Sequence, residues 1–152
     1  MKKEEKEKIT GLVSELLNRI GIKAGVKVAE KEETIEINIE GENLGILIGR
    51  HGVTLRTIQL IISMMVGKQL GEWQQVAVDV NGWRLRRQEQ LERMANRMVE
   101  EVISTSQERA LPPMSAFERR IIHLALASDS RVVTESIGED PDRYVTIKPK
   151  SS

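Results

Sequence analysis

Apolar residues recur at Ile9, Leu12, Val13, Leu16, Leu17 and Ile20, a spacing of three and four that predicts an amphipathic helix stopped by Gly21. Val26 and Val28 alternate with Lys27 and Ala29, and Lys31-Glu32-Glu33 makes a polar break. Thr34-Ile35-Glu36-Ile37-Asn38-Ile39-Glu40 then alternates strictly, as a strand with one buried and one wet face must. Beyond Gly41, Asn43 is placed to cap a short helix running through Ile48. Gly49-Arg50-His51-Gly52 interrupts it, and Leu55, Ile58, Ile62 and Met65 mark a further helix ending near Gly67. Val76, Val78 and Val80 form a third strand closed by Asn81-Gly82. From Trp83 a long helix is expected to reach about Arg109, its core stripe being Leu91, Met94, Met98 and Val102. Pro112-Pro113 breaks the chain, because proline lacks the amide donor and fixes φ. Ser115-Ala116-Phe117-Glu118 reads as a capping box opening a helix to about Ala127. Strands at 132–137 and 144–148, joined by Gly138-Glu139-Asp140-Pro141, complete the chain.

Composition narrows what this pattern can serve. An apolar fraction of 39% with 30% charged residues describes a globular chain, and 152 residues suffice for one medium domain or two small ones. No apolar run approaches the roughly 18 residues of a membrane span, and Met1 leads straight into charged residues, so a cytoplasmic protein without a signal peptide is expected. With no cysteine and two histidines, neither a disulfide nor a metal site is expected, and no cofactor is. Carboxylates do not cluster around either histidine and no nucleophile pattern is present, which argues against an enzyme. Charge is balanced at 23 basic and 23 acidic residues, though residues 82–127 carry eight arginines against six glutamates. A nucleic-acid partner would therefore be held by a few positioned contacts rather than by release of many counterions.

The tetrapeptide Gly49-Arg50-His51-Gly52 is the first candidate for such contacts. Glycines remove Cβ atoms where the backbone must turn and where a sugar-phosphate must approach. The following helix offers unpaired amides and a partial positive charge to an anion. Arg50 supplies a charge-assisted donor and His51 a second donor, while Leu44, Ile48, Val53 and the Ile35-Ile37-Ile39 strand are candidate walls of an apolar groove for bases. A Gly-x-x-Gly turn alone is commonly a plain helix hairpin; the surrounding order of elements is what favours nucleic acid. That order, αββααβ over residues 1–81, resembles a type II KH domain, whose Gly-x-x-Gly loop clamps about four nucleotides.

The second candidate is Arg119 and His123, four apart and so on one helix face, with Arg120 beside them. Phe117, Ile121 and Leu124 would then be core on the opposite side. The guanidinium of Arg119 should discourage protonation of His123. Arg86, Arg93 and Arg97 form a possible basic track on the long helix, but Glu89–Arg93 and Arg97–Glu101 pairs make an ordinary solvated face the simpler reading. Trp73 and Trp83 are read as packing residues.

The run from Leu111 through Leu126, followed by Val133-Thr134-Glu135-Ser136 and Gly138-Glu139, resembles an R-three-H domain, named for an arginine and a histidine separated by three residues, here Arg119 and His123. A type II KH domain (1–81) joined to an R-three-H domain (82–152), α+β throughout, resembles the bacterial Jag family, also called SpoIIIJ-associated or KhpB-like proteins. The resemblance implies single-stranded RNA binding, with single-stranded DNA a second ligand, through Gly49, Arg50, His51, Gly52, Arg119, Arg120 and His123. It further implies RNA chaperoning or post-transcriptional regulation linked to cell shape, envelope synthesis and division. A small KH-domain partner, homodimerisation, or an adaptor role at a membrane insertase follow from the same resemblance. Full-length members carry an N-terminal Jag domain that this sequence lacks, so a trimmed segment of a longer protein is expected.

Overall fold

The computed structural model describes residues 1–151. Its contacts separate into two units, residues 1–84 and the described residues from 85 onward. In the first, the elements are α1 (Lys3–Arg19), β1 (Gly25–Lys31), β2 (Thr34–Glu40), α2 (Gly45–Ile48), α3 (Val53–Leu70) and β3 (Gln75–Val80), with a single turn of tighter helix at Arg50–Gly52. The strands form one sheet in the order β1-β2-β3, β1 antiparallel and β3 parallel to β2. This is the αββααβ order of the type II KH fold.

The alternation in β2 decides the layering. Ile35, Ile37 and Ile39 lie on the buried face opposite Val76 and Val80 of β3, while Glu36 and Glu40 lie on the other. Onto that apolar face pack Ile9, Val13 and Leu17 of α1 and Leu55, Ile62 and Val66 of α3. β1 buries only Val28 fully, as an edge strand with one neighbour can.

Two boundaries differ from the sequence reading. α3 continues past Gly67 to Leu70, which packs on the core, and stops where Gly71 adopts φ +78°. A glycine inside a helix costs about 1 kcal/mol and does not end it; the left-handed residue after it does. Asn43 does not cap α2: it sits at φ +56° in the preceding turn, and Leu44 occupies the cap position.

The second unit is built from most of α4 (Trp83–Thr105), β4 (Arg109–Ala110), α5 (Ala116–Leu126), β5 (Val132–Ile137) and β6 (Tyr144–Pro149), with a sheet ordered β4-β6-β5 and antiparallel throughout. α4 ends four residues before the expected Arg109. The hydroxyls of Ser104 and Thr105 donate back to the Glu101 carbonyl at 3.0 and 2.8 Å, and Ser106 turns to φ +55°. Such side-chain bonds compete with helix propagation. Arg109 and Ala110 are released to pair with Ile147 and Thr146.

The core stripe of α4 is Leu91, Ala95, Val99 and Val102; Met94 and Met98 pack at its margin. α5 departs further. Phe117 and Leu124 are exposed, Ile121 is half-buried, and the residues turned inward are Glu118, Arg119, Ile122 and Leu126. The helix has its polarity reversed relative to the expectation, because paired ions and not apolar side chains fill the space at its first turn.

Candidate nucleic-acid interface

In the first unit the loop geometry follows from its glycines. Gly49 has φ +69° and Gly52 φ +76°, with His51 between them at φ +53°. A Cβ on Gly49 would run into the side chain of Thr54, and one on Gly52 would lie 2.5 Å from Cη2 of Trp83. Both positions demand glycine twice over, for dihedral and for space. Arg50 and His51 project at the exposed tip. α3 starts directly behind, with no side-chain cap and no acidic residue in its first turn. Its positive N-terminal end is therefore left uncompensated by the chain itself.

The apolar surroundings differ from those expected. Ile35, Ile37 and Ile39 are core residues, and so is Leu44, so none of them is a groove wall. Ile48 is half-buried and Val53 is exposed. The residue missed is Ile46, 72% exposed. In Gly45-Ile46-Leu47-Ile48 a single helical turn has no polar member, so burying Leu47 leaves Ile46 outside.

In the second unit the paired residues are deeply engaged. Arg119 is 7% exposed, and its Nη1 donates to the Met114 carbonyl at 2.7 Å and to Asp140 Oδ1 at 3.2 Å. Glu118, before it, is 2% exposed and accepts from Arg87 Nε at 2.7 Å. The backbone amide of Glu118 donates to Ser115 Oγ at 3.3 Å, the N-cap half of the expected capping box. The ring of His123 lies between two hydroxyls of β5, Nδ1 at 2.7 Å from Thr134 Oγ1 and Nε2 at 2.8 Å from Ser136 Oγ. Burial, and then the charge of Arg119, hold its pKa below the ordinary value of 6.5. Arg120 faces solvent.

Residues 6–80 match the KH domain of the KhpA/KhpB proteins, and residues 89–149 match the R-three-H domain. The chain is KhpB-like, a KhpA/KhpB-type KH domain followed by an R-three-H domain. It is similar to the RNA-binding protein KhpB of Clostridium symbiosum, 39% identical over 131 residues that make up 86% of this chain and 59% of that protein. It is similar also to the RNA-binding protein KhpB of Bacillus subtilis (strain 168), 32% identical over 84% of this chain and 62% of that protein. The KhpB of Lactiplantibacillus plantarum is 33% identical over 87% of this chain and 41% of its own length. The chain thus spans about three-fifths of the first two relatives.

Within the KH domain the sequence reading passed over the support behind the loop. Trp83 packs against the core and lies over Gly52. Arg84 fixes it from the next position: its Nε donates to the Val78 carbonyl at 3.0 Å, its Nη2 to Gln59 Oε1 at 2.9 Å, and its amide to Asp79 Oδ1 at 3.2 Å. Trp73, expected to pack, is 82% exposed. It lines an open groove of about 520 Å³ with Leu60, Met64, Gly67 and Lys68 of α3. On α4, Glu101 pairs with Arg109 at 2.8 Å, where Arg97 had been expected.

Proposed function

We propose that this chain binds single-stranded RNA, with the Gly49–Gly52 loop as its principal phosphate clamp and the R-three-H domain as a second contact. The observation that carries the reading is the loop itself. Two glycines whose Cβ positions are blocked hold Arg50 and His51 at the tip, directly ahead of a helix N-terminus that the chain does not cap. A phosphate there meets backbone amides, a guanidinium and a helix dipole together. Ile46 and Val53 give the flanking bases an apolar surface. On α5 Arg120 is the exposed cation, while Arg119 and His123 fix α5 against Asp140 and β5. The names of the KhpB relatives point to the same ligand. The chain works as a binding protein rather than an enzyme, in the cytoplasm; no helix among the described residues is long and apolar enough to cross a membrane. RNA chaperoning or post-transcriptional regulation of envelope synthesis, cell shape and division is the corresponding biological role.

Fluorescence anisotropy with a short labelled single-stranded RNA tests this. Arg50→Asp/His51→Asp should weaken binding by at least about tenfold, since two donors become two repelling charges, with an unchanged melting temperature. Native-like affinity in that variant overturns the clamp assignment.

A second reading, protein docking, is favoured by a separate observation. Leu60 and Met64 on α3 are exposed and line one groove with the exposed Trp73 that follows the helix. A second KH domain, from a small KH partner or from another copy of this chain, is the occupant this reading names, with an insertase adaptor role as its wider form. RNA-free sedimentation of native protein and of Leu60→Ser/Met64→Ser, alone and mixed with a small KH protein, separates it from the RNA reading.

A further inference from the structure

The outward face of α5 is unlike that of an ordinary surface helix. Phe117 is 55% exposed and Leu124 65% exposed, and Arg120 lies between them in sequence. At 100° per residue these three share one stripe, opposite Glu118, Arg119, Ile122 and Leu126. Turning Phe117 and Leu124 inward would have buried more apolar surface. The fold instead buries a carboxylate and a guanidinium and compensates each, Glu118 with Arg87 and Arg119 with Met114 and Asp140. The exposure of Phe117 is therefore not a residue left over from packing.

We infer that the Phe117–Arg120–Leu124 stripe is a nucleotide-stacking surface of the R-three-H domain, with a base on the Phe117 ring, Leu124 against the next base, and Arg120 on the intervening phosphate. The inference rests on the RNA-binding reading and adds to it the residues that touch the strand in the second domain. Charge favours this occupant. The only carboxylate of α5 is the buried Glu118, so the face offers solvent one full charge, and it is positive. The nearby carboxylate of Asp140, itself exposed, is paired with the guanidinium of Arg119. Size favours it too. From Phe117 to Leu124 the helix rises about 10 Å, the length of two or three stacked nucleotides at about 3.4 Å each. Three side chains expose at most a few hundred Å², well below the roughly 800 Å² per partner that a stable protein interface buries. In this arrangement Arg119 and His123 are positioning residues: they hold α5 against the 138–142 turn and β5 so that the stripe faces outward.

Anisotropy on the full chain with a short single-stranded RNA decides the matter. Phe117→Ala should weaken binding by at least about fivefold, Arg120→Ala by several-fold, and Phe117→Trp should retain native affinity because it keeps a ring in place. Phe117 and Arg120 are exposed, so melting temperatures should stay native. If native protein binds, Arg50→Asp/His51→Asp weakens it and Phe117→Ala does not, the stripe assignment is overturned while the RNA reading stands. If native protein itself fails to bind, the RNA reading falls and the stripe falls with it. Loss of self-association in Phe117→Ala/Leu124→Ser by sedimentation velocity, with RNA affinity unchanged, makes the stripe a protein surface and also overturns the inference.

Discussion

The two motif regions use their named residues in opposite ways. In the KH domain the side chains of the motif, Arg50 and His51, are at the surface, and the geometry that matters is backbone: two left-handed glycines, of which Gly52 is buried, and an uncapped helix behind. In the R-three-H domain the defining arginine is buried and the histidine is held between two hydroxyls. Exposure is left to Phe117, Arg120 and Leu124. A spacing motif therefore identifies a structural unit in both cases, but it names exposed side chains only in the first. The reason is electrostatic. A loop can present a charge to water at no desolvation cost, whereas an arginine on the inner face of a helix must be compensated by fixed acceptors and is then committed to them.

The sharpest way to break this comparison is to remove one member of each supporting network. Glu118→Ala takes away the carboxylate that the Arg87 guanidinium meets at 2.7 Å in a largely buried position, and should cost about 2–3 kcal/mol of stability by urea unfolding. Gly52→Ala should cost about 2 kcal/mol, from a residue forced to φ +76° and a Cβ pressed on Trp83. Much of that cost is steric, so in a Trp83→Ala background the same substitution should cost about 1 kcal/mol less, a coupling readable from a double-mutant cycle. Additive costs would show that Trp83 does not define the loop. Arg50→Asp/His51→Asp, by contrast, should leave stability within about 0.5 kcal/mol of native, since both side chains sit at an exposed tip.

The fold was largely legible because its signals are periodic and local. Strict alternation placed β2, and the three-and-four spacing placed α1, α3 and α4 within about a turn. Gly49 and Gly52 were legible because no other residue tolerates their dihedrals in the space available. What the pattern hid depends on contacts distant in sequence. Arg87 and Glu118 are 31 residues apart, and Arg119 and Asp140 are 21 apart. Neither pairing leaves a periodic trace, so an amphipathic reading of α5 turned the helix the wrong way round. The two-residue strand β4 was missed for a related reason: its pairing to β6 is settled by Ser104, Thr105 and Ser106 ending α4 early. Trp83 was seen as a packing residue, but not that the surface it packs against is the loop.

The remaining effect concerns His123, and its sign follows from burial. Desolvation and the neighbouring Arg119 charge lower its folded pKa below 6.5, so the unfolded chain takes up a proton first as the pH falls. Where the unfolded state binds more protons, stability rises with pH. His123 therefore contributes a loss of stability as pH drops from the ordinary histidine range toward its lowered folded value, and contributes nothing above that range. His123→Gln keeps a donor and an acceptor without a titration. Between pH 7 and pH 5 it should lose less stability than native protein, as measured by urea unfolding at each pH. Equal slopes for His123→Gln and native protein would mean that the ring held between Thr134 and Ser136 is not committed to its surroundings, and the contrast between the two regions would reduce to the burial of Arg119 alone.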